Sequence, residues 1–320
     1  MTDLVLHHYP SSPFSEKVRL ILSYKKLAYR SVLVPSISPK PDVVALTGGY
    51  RKTPFLQVGS HIYCDTALIC EVLERLAPQP TLYPDDRAGL TRIVAQWADD
   101  TLFWAAMAHN FHPQGVAQLF GGAPDAPPER WAGVAKTFAQ DRAQMRTAVP
   151  RRAAADATGA YLLHLANLAD MLRGQAFLLG QTPSLADFCA YHPLWFTRTQ
   201  TPVMADVLRA HAAVWAWMDR MAALGPGSFE PMTSAQAIAL CAASPAQGAV
   251  FAEQALVDHH GLALGSMASI TSDSFGPEPT VGQLVAATAE RYTLRRQDAR
   301  AGTVHVHFPR MGYVLTKAST

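Results

Sequence analysis

Residues 4–22 read LVLHHYPSSPFSEKVRLIL. Leu4 to His8 is a short apolar run and predicts a strand. Tyr9 to Ser12 is turn-forming. Pro13 opens a helix, because its fixed φ suits the first helical position and its missing N–H is not needed there. Ser12 precedes it, where a hydroxyl caps free backbone N–H groups. Phe14, Val18, Ile21 and Leu22 recur at helical spacing and predict a buried face. A strand, a tight loop and a serine at a helix N-terminus result. That end of a helix favours an anion and depresses the pKa of a thiol placed there. As residues alone, Ser12 reads equally as a plain cap or as the partner of a phosphate, carboxylate or thiolate.

The 320 residues exceed the usual size of one core, so two or three domains are expected. With 49% hydrophobic and 16% charged residues, the composition is that of a globular protein. A net charge of +2 without a long basic run implies no nucleic-acid partner. No apolar stretch reaches membrane-spanning length, and MTDLVLHHYP lacks the basic start and apolar core of a signal peptide. Cys64, Cys70, Cys189 and Cys241 form no C-x-x-C pair, which argues against a redox dithiol or zinc knuckle. Free thiols in a cytoplasmic setting are the expectation.

Within residues 1–80, Arg30–Val34, Phe55–Val58 and His61–Cys64 predict further strands, with Gly59-Ser60 as a hairpin turn. A helix follows Asp65, with Leu68, Val72, Leu73 and Leu76 on its apolar face. The order βαβ then ββα predicts an α/β layer on a mixed sheet. Lys52-Thr53-Pro54 stands at the head of a strand, where a cis X–Pro bond would turn the backbone of Thr53 toward a peptide-like ligand. An ordinary turn proline is the competing reading. Asp65-Thr66 offers a helix cap, or a carboxylate and hydroxyl suited to an ammonium–carboxylate pair.

Together, SSPFSEKVR, KTPFL and YCDTALI resemble the motifs of the glutathione transferase superfamily over roughly residues 3–225. The first is most similar to the zeta and omega classes. The resemblance implies a thioredoxin-like domain over 1–80, an all-α domain over 86–225, a homodimer, and glutathione as co-substrate. It implies that Ser12 (or its neighbour Ser11) bonds the glutathione sulfur and that Thr53, beside Pro54, pairs with the cysteinyl backbone. Asp65 and Thr66 would hold the γ-glutamyl end, and Lys52 would neutralise the glycyl carboxylate. Omega-like members carry a cysteine at the position of Ser12. A serine cannot form a mixed disulfide, so the glutathione thiolate itself must be the nucleophile. Addition to an apolar small-molecule electrophile follows, with dehalogenation or isomerisation as variants. A non-catalytic binding or regulatory protein on the same fold is the alternative.

Residues 77–87, APQPTLYPDDR, read as a linker before a helical region. Helices are expected over Leu90–Ala108, Arg130–Thr147, Ala160–Arg173 and Val207–Met221. Ser184-Leu185-Ala186-Asp187 has the pattern of a capping box and reads as structural. Trp97, Trp104, Met107 and Phe111 are candidates for the apolar wall of a second-substrate pocket between the domains.

After the break GPGSFEPM, residues 233–320 predict short helices over 233–242 and 251–257 and then a small β-rich domain, barrel-like or a curled sheet. Strands are expected over 262–270, 281–286, 291–295, 303–308 and 313–316. His305 and His307 lie two apart on one strand, but no cysteine or acidic pair completes a metal site, so no metal is expected. Arg295, Arg296 and Arg300 read as a solvated loop.

Overall fold

The structure is a computed structural model that describes residues 3–84, 86–146, 154–244 and 259–318. Its first unit begins with β1 (Leu4–His8), α1 (Pro13–Tyr24), β2 (Tyr29–Leu33) and α2 (Pro41–Thr47). β3 (Phe55–Val58), β4 (His61–Cys64) and α3 (Thr66–Leu76) complete it. β1 lies parallel to β2 and antiparallel to β3, and β4 is antiparallel to β3. This is the expected thioredoxin-like layer. Each boundary has a local cause. Ser12 caps α1 with Pro13 in its first turn, and α2 ends on Gly48 at φ 84°, where a side chain would be strained.

The helical unit runs α4 (Ala88–Trp97), a π-helical segment Ala98–Leu102, α5 (Phe103–Asn110), α6 (Pro113–Gly121) and α7 (Pro128–Gln144). α8 (Ala154–Met171), α9 (Leu185–Trp195), α10 (Asp206–Arg209) and α11 (Ala212–Ala222) follow. The capping box at the start of α9 is formed: Ser184 N–H donates to Asp187 Oδ2 (2.9 Å). The other carboxylate oxygen accepts from Leu178 N–H (2.8 Å) and Trp217 Nε1–H (3.0 Å). Asp187 is fully buried, so its role is to join three segments of the bundle.

Residues 229–317 add β5 (Phe229–Met232), α12 (Ser234–Ala243), β6 (Met267–Ser272), β7 (Thr280–Ala287), β8 (Arg291–Asp298), β9 (Gly302–Pro309) and β10 (Tyr313–Lys317). These strands do not close a barrel. They extend the first sheet into one of ten strands, ordered β10-β6-β7-β8-β9-β4-β3-β1-β2-β5. The joint is a parallel pairing of β9 with β4, His61 opposite His305 and Tyr63 opposite His307. β5 closes the far side, parallel to β2. β4 would otherwise be an open edge, and pairing its free N–H and C=O groups is the physical reason the extension continues the sheet. The helix expected over 251–257 lies outside the described residues.

Alternation along the strands divides two cores. Leu4, Leu6, Leu56, Val58 and Tyr63 face α1, α3 and the helical unit. Val5, Val32, Phe55, Ile62 and Cys64 face α2, α12 and the apolar side of β6–β10, including Val304, Val306 and Phe308.

Candidate functional site

Ser12 is the N-cap of α1, 1% exposed, and its Oγ accepts from Ser15 N–H (3.2 Å). Its own N–H donates to Tyr9 O (3.2 Å). Accepting one N–H leaves the hydroxyl proton available for an anion at the same helix end. Ser11 is half-buried beside it.

Below this turn lies a buried charge cluster. The Lys17 ammonium, fully buried, donates to Asp99 Oδ2 (2.6 Å), and His192 Nε2 bonds Asp99 Oδ1 (2.9 Å). Asp99 reaches both from the π-helical segment. Burial alone would depress the Lys17 ammonium, but the adjacent Asp99 carboxylate holds it above its usual value. Burial pushes His192 down to about 4, so it is neutral at pH 7 and donates Nε2–H to Asp99. Sequence reading missed this cluster. Its signal was a lysine on the apolar stripe of α1, one turn from both Phe14 and Ile21.

The Thr53–Pro54 peptide is cis. Among the described residues the Thr53 side-chain oxygen is buried without a hydrogen-bond partner, and β3 begins only at Phe55. Asp65 has φ 75°, a conformation costly for a non-glycine residue. Its backbone N–H donates to the Tyr50 hydroxyl (3.0 Å), and its Oδ1 accepts from Ala67 N–H (3.0 Å) at the start of α3. Thr66 follows as the first, buried residue of that helix.

The remaining contacts of this region come from the extension. The Tyr313 hydroxyl donates to Asp65 Oδ2 (2.9 Å). Lys52 Nζ donates to Ser272 Oγ (3.1 Å), lies 4.0 Å from Asp65 Oδ2 and sits over the Tyr313 ring. Burial lowers the Lys52 ammonium from its usual value. It also raises the phenols of Tyr50 and Tyr313 well above theirs, with the Asp65 charge acting in the same direction. No local signal in the sequence joins Ser272 or Tyr313 to Lys52 and Asp65.

The four candidate pocket residues have different neighbours. Trp104 meets Phe275 (ring centroids 5.4 Å) and Met107 is buried. Trp97 instead meets His164 on α8, and Phe111 packs near Phe138 and Phe196. In an unbroken α-helix residues 97, 104 and 111 would share one face. The π-helical segment inserts an extra residue per turn, which rotates Trp97 off the face of Trp104.

All four cysteines are buried and free. Burial raises the Cys64 thiol well above its usual value and pushes Cys70 up to about 12, so neither is a ready thiolate. His61 and His307 share a hydrogen bond (2.9 Å), and His307 also bonds Thr293 Oγ1 (2.9 Å). Among the described residues no group of three or more His, Cys, Asp or Glu is placed to hold a metal ion, and no helix is long and apolar enough to cross a membrane. Of the expected arginine cluster, Arg296 is partly buried while Arg295 and Arg300 are exposed, as expected of solvated side chains. Arg296 donates to Ala45 O and pairs with Asp298 (3.5 Å), and Arg300 pairs with Asp42 (2.5 Å).

Comparison with known proteins gives this geometry a setting. Residues 6–81 fit the family model of the glutathione S-transferase N-terminal domain, and residues 151–220 that of the C-terminal domain. FtsZ-localized protein A of Caulobacter vibrioides is 28% identical over 196 residues, which are 59% of this chain and 74% of that protein. A probable maleylacetoacetate isomerase 1 of Drosophila melanogaster is 34% identical over 102 residues. That match takes in 29% of this chain and 41% of the fly protein, less than half its length. A solved GST-like protein from Pseudomonas syringae is 35% identical, covers 99% of this chain and 100% of its own, and superposes with a TM-score of 0.78. The likeness therefore includes the extension. Glutathione is the co-substrate of the family these proteins share. On the two domain matches and this full-length relative, the chain belongs to the glutathione S-transferase superfamily.

Proposed function

We propose that this chain is a glutathione-dependent enzyme that adds the glutathione thiolate to a hydrophobic electrophile. The reading is carried by one observation: a buried serine at the N-terminus of α1, in a chain that also keeps a cis-proline strand head and an acid–hydroxyl pair at a helix start. Ser12, with Ser11 beside it, donates to the sulfur and adds to the field of the helix end. Thr53 pairs with the cysteinyl backbone, and Asp65 with Thr66 receives the γ-glutamyl group. The ammonium of Lys52 stands 4.0 Å from Asp65, so to neutralise the glycyl carboxylate it must swing off Ser272. Trp104 is the pocket candidate nearest the extension, and it offers an apolar face to the electrophile. The four free thiols fit a cytoplasmic setting, and the family's usual homodimer is the assembly we propose.

The test is calorimetric titration with glutathione and a thiol-conjugation assay with an aryl halide, for wild type and Ser12→Ala. One hydrogen bond to a thiolate is worth about 1.5–3 kcal/mol, so Ser12→Ala loses roughly 10- to 100-fold in rate with little change in glutathione affinity. Asp65→Ala weakens binding instead. Unchanged turnover in Ser12→Ala removes the serine from the mechanism.

A second reading has its own support. Asp65 and Lys52 are already bonded to Tyr313 and Ser272, as suits a binding or regulatory protein that acts through its β extension. The name of the Caulobacter relative records localisation rather than chemistry. Absence of glutathione binding in that titration selects this reading.

A further inference from the structure

The loop between β6 and β7, residues 273–279, is exposed at Asp273, Ser274 and Pro279, but its middle packs against the helical unit. Gly276 N–H donates to Met145 O (2.7 Å) at the end of α7, and Phe275 forms a bridge with Arg146. Gly276 is also pressed against Lys52: an added Cβ would stand 3.1 Å from the Lys52 Cγ and 3.3 Å from the Met145 methyl. The Phe275 ring meets Trp104 at 5.4 Å. At the far end of the loop Glu278 pairs with Arg51 (2.5 Å), and the same buried guanidinium holds Asp141 of α7 (2.9 Å). At the near end Ser272 holds Lys52, and Tyr313, next to β6 in the sheet, holds Asp65.

Four separate contacts thus place this loop and its flanks on the residues assigned above to glutathione and its electrophile. Backbone and a serine hydroxyl lie on Lys52, a phenol lies on Asp65, and an aromatic ring lies on Trp104. The segment presents to the cleft the kinds of group that a tripeptide with an apolar partner would present. We propose that residues 272–279, together with Tyr313, are a built-in occupant of the glutathione cleft, and that glutathione binds only when this segment is displaced. This inference rests on the function proposed above. The Glu278–Arg51 pair is the latch, because it is an ionic contact at the point where the loop rejoins the sheet. The affinity that is measured is then the intrinsic affinity reduced by the small fraction of molecules with the loop out.

The test titrates glutathione by calorimetry into the full chain, into Glu278→Gln and into Phe275→Ala. Amide exchange at Gly276 is followed with and without saturating glutathione. Two variants are used because either one alone can perturb its own surroundings. Both are expected to bind glutathione about 10-fold tighter or more than wild type, as holds if the loop is out in under a tenth of molecules. The Gly276 amide, bonded to Met145 in the free protein, is expected to exchange faster once glutathione is added. Equal affinity in all three proteins, with unchanged Gly276 exchange, overturns the occupant and leaves the Ser12 chemistry standing. Absence of binding in all three overturns the glutathione function itself, and the occupant with it.

Discussion

The two cores differ in where along the chain their residues come from. Among the described residues, the buried side chains of the core under α1, α3 and the helical unit all come from residues 4–221. The core on the other face takes Val5, Val32, Leu46, Phe55 and Ile62 from the first sixty-odd residues and Ile238, Val304, Val306, Phe308 and Leu315 from the extension. The second is built jointly by the first domain and the extension. The difference teaches that the added strands are not an attachment to a finished fold. They cover one face of the domain that carries the candidate site, and α12 reaches into it directly: Gln57 Nε2 donates to Ala237 O (2.9 Å) while His7 bonds Gln57 Oε1 (2.8 Å) and stacks on Phe55.

Truncating a large side chain in each core gives the strongest challenge to that view. Phe308→Ala and Trp217→Ala each remove a fully buried aromatic, and each is expected to cost about 3–5 kcal/mol. If the extension is integral, Phe308→Ala lowers the midpoint of one denaturant transition that both far-UV circular dichroism and tryptophan fluorescence report. All six tryptophans lie between residues 97 and 217. A separate early transition seen in circular dichroism alone would show that the extension unfolds on its own.

Acid sharpens the comparison next. Burial pushes His7 on the second core, and His192 in the first, down to about 4, and lowers His307 at the β4–β9 joint well below its usual value. In the unfolded chain these imidazoles protonate near pH 6.5. Between about pH 6.5 and 4 the unfolded state therefore binds more protons. Stability is fully present above about 6.5 and is lost as pH falls through this window. Unfolding at pH 5 is expected to require on the order of 2 kcal/mol less for each of His7 and His192 than at pH 7. Denaturant midpoints at the two values measure the sum. A flat profile would mean that these histidines are protonated in the folded protein.

The smallest expected effect probes α12 alone. Thr233 caps it, with Gln236 closing the box (Thr233 N–H to Gln236 Oε1, 2.9 Å). Thr233→Ala is expected to lower stability by about 1 kcal/mol, read as a shift in thermal midpoint. No shift would place α12 outside the cooperative unit.

What was legible in the sequence follows the same division. Ser12-Pro13, Thr53-Pro54, Asp65-Thr66 and the Ser184–Asp187 box act within a few residues of themselves, and local chemistry was enough to locate them. The period-two pattern after residue 262 likewise foretold the strands of the extension. It did not foretell their partner, since the pairing of His61 with His305 obeys no local rule. Phe229–Met232 lies within residues 225–232, which read as a break because Gly225, Gly227 and Pro231 punctuate them. It is a strand nonetheless, on the outer edge, where a proline without an N–H is tolerated. The π-helical turn that separates Trp97 from Trp104 left no mark that spacing could detect. The contacts of Ser272 and Tyr313 with Lys52 and Asp65 were hidden for the same reason as the joint itself.

The joint between β4 and β9 also sets a timetable. A ribosome releases His61 long before His307, 246 residues later. At 5–20 residues per second that is roughly 12 to 50 s. For that interval the nascent protein carries an unpaired strand edge beside a bare apolar face, both open to other chains. Messages cut short before codon 302 would yield products that keep this exposure permanently, so quality control at the translating ribosome bears on this protein more heavily than on a relative whose sheet is finished early.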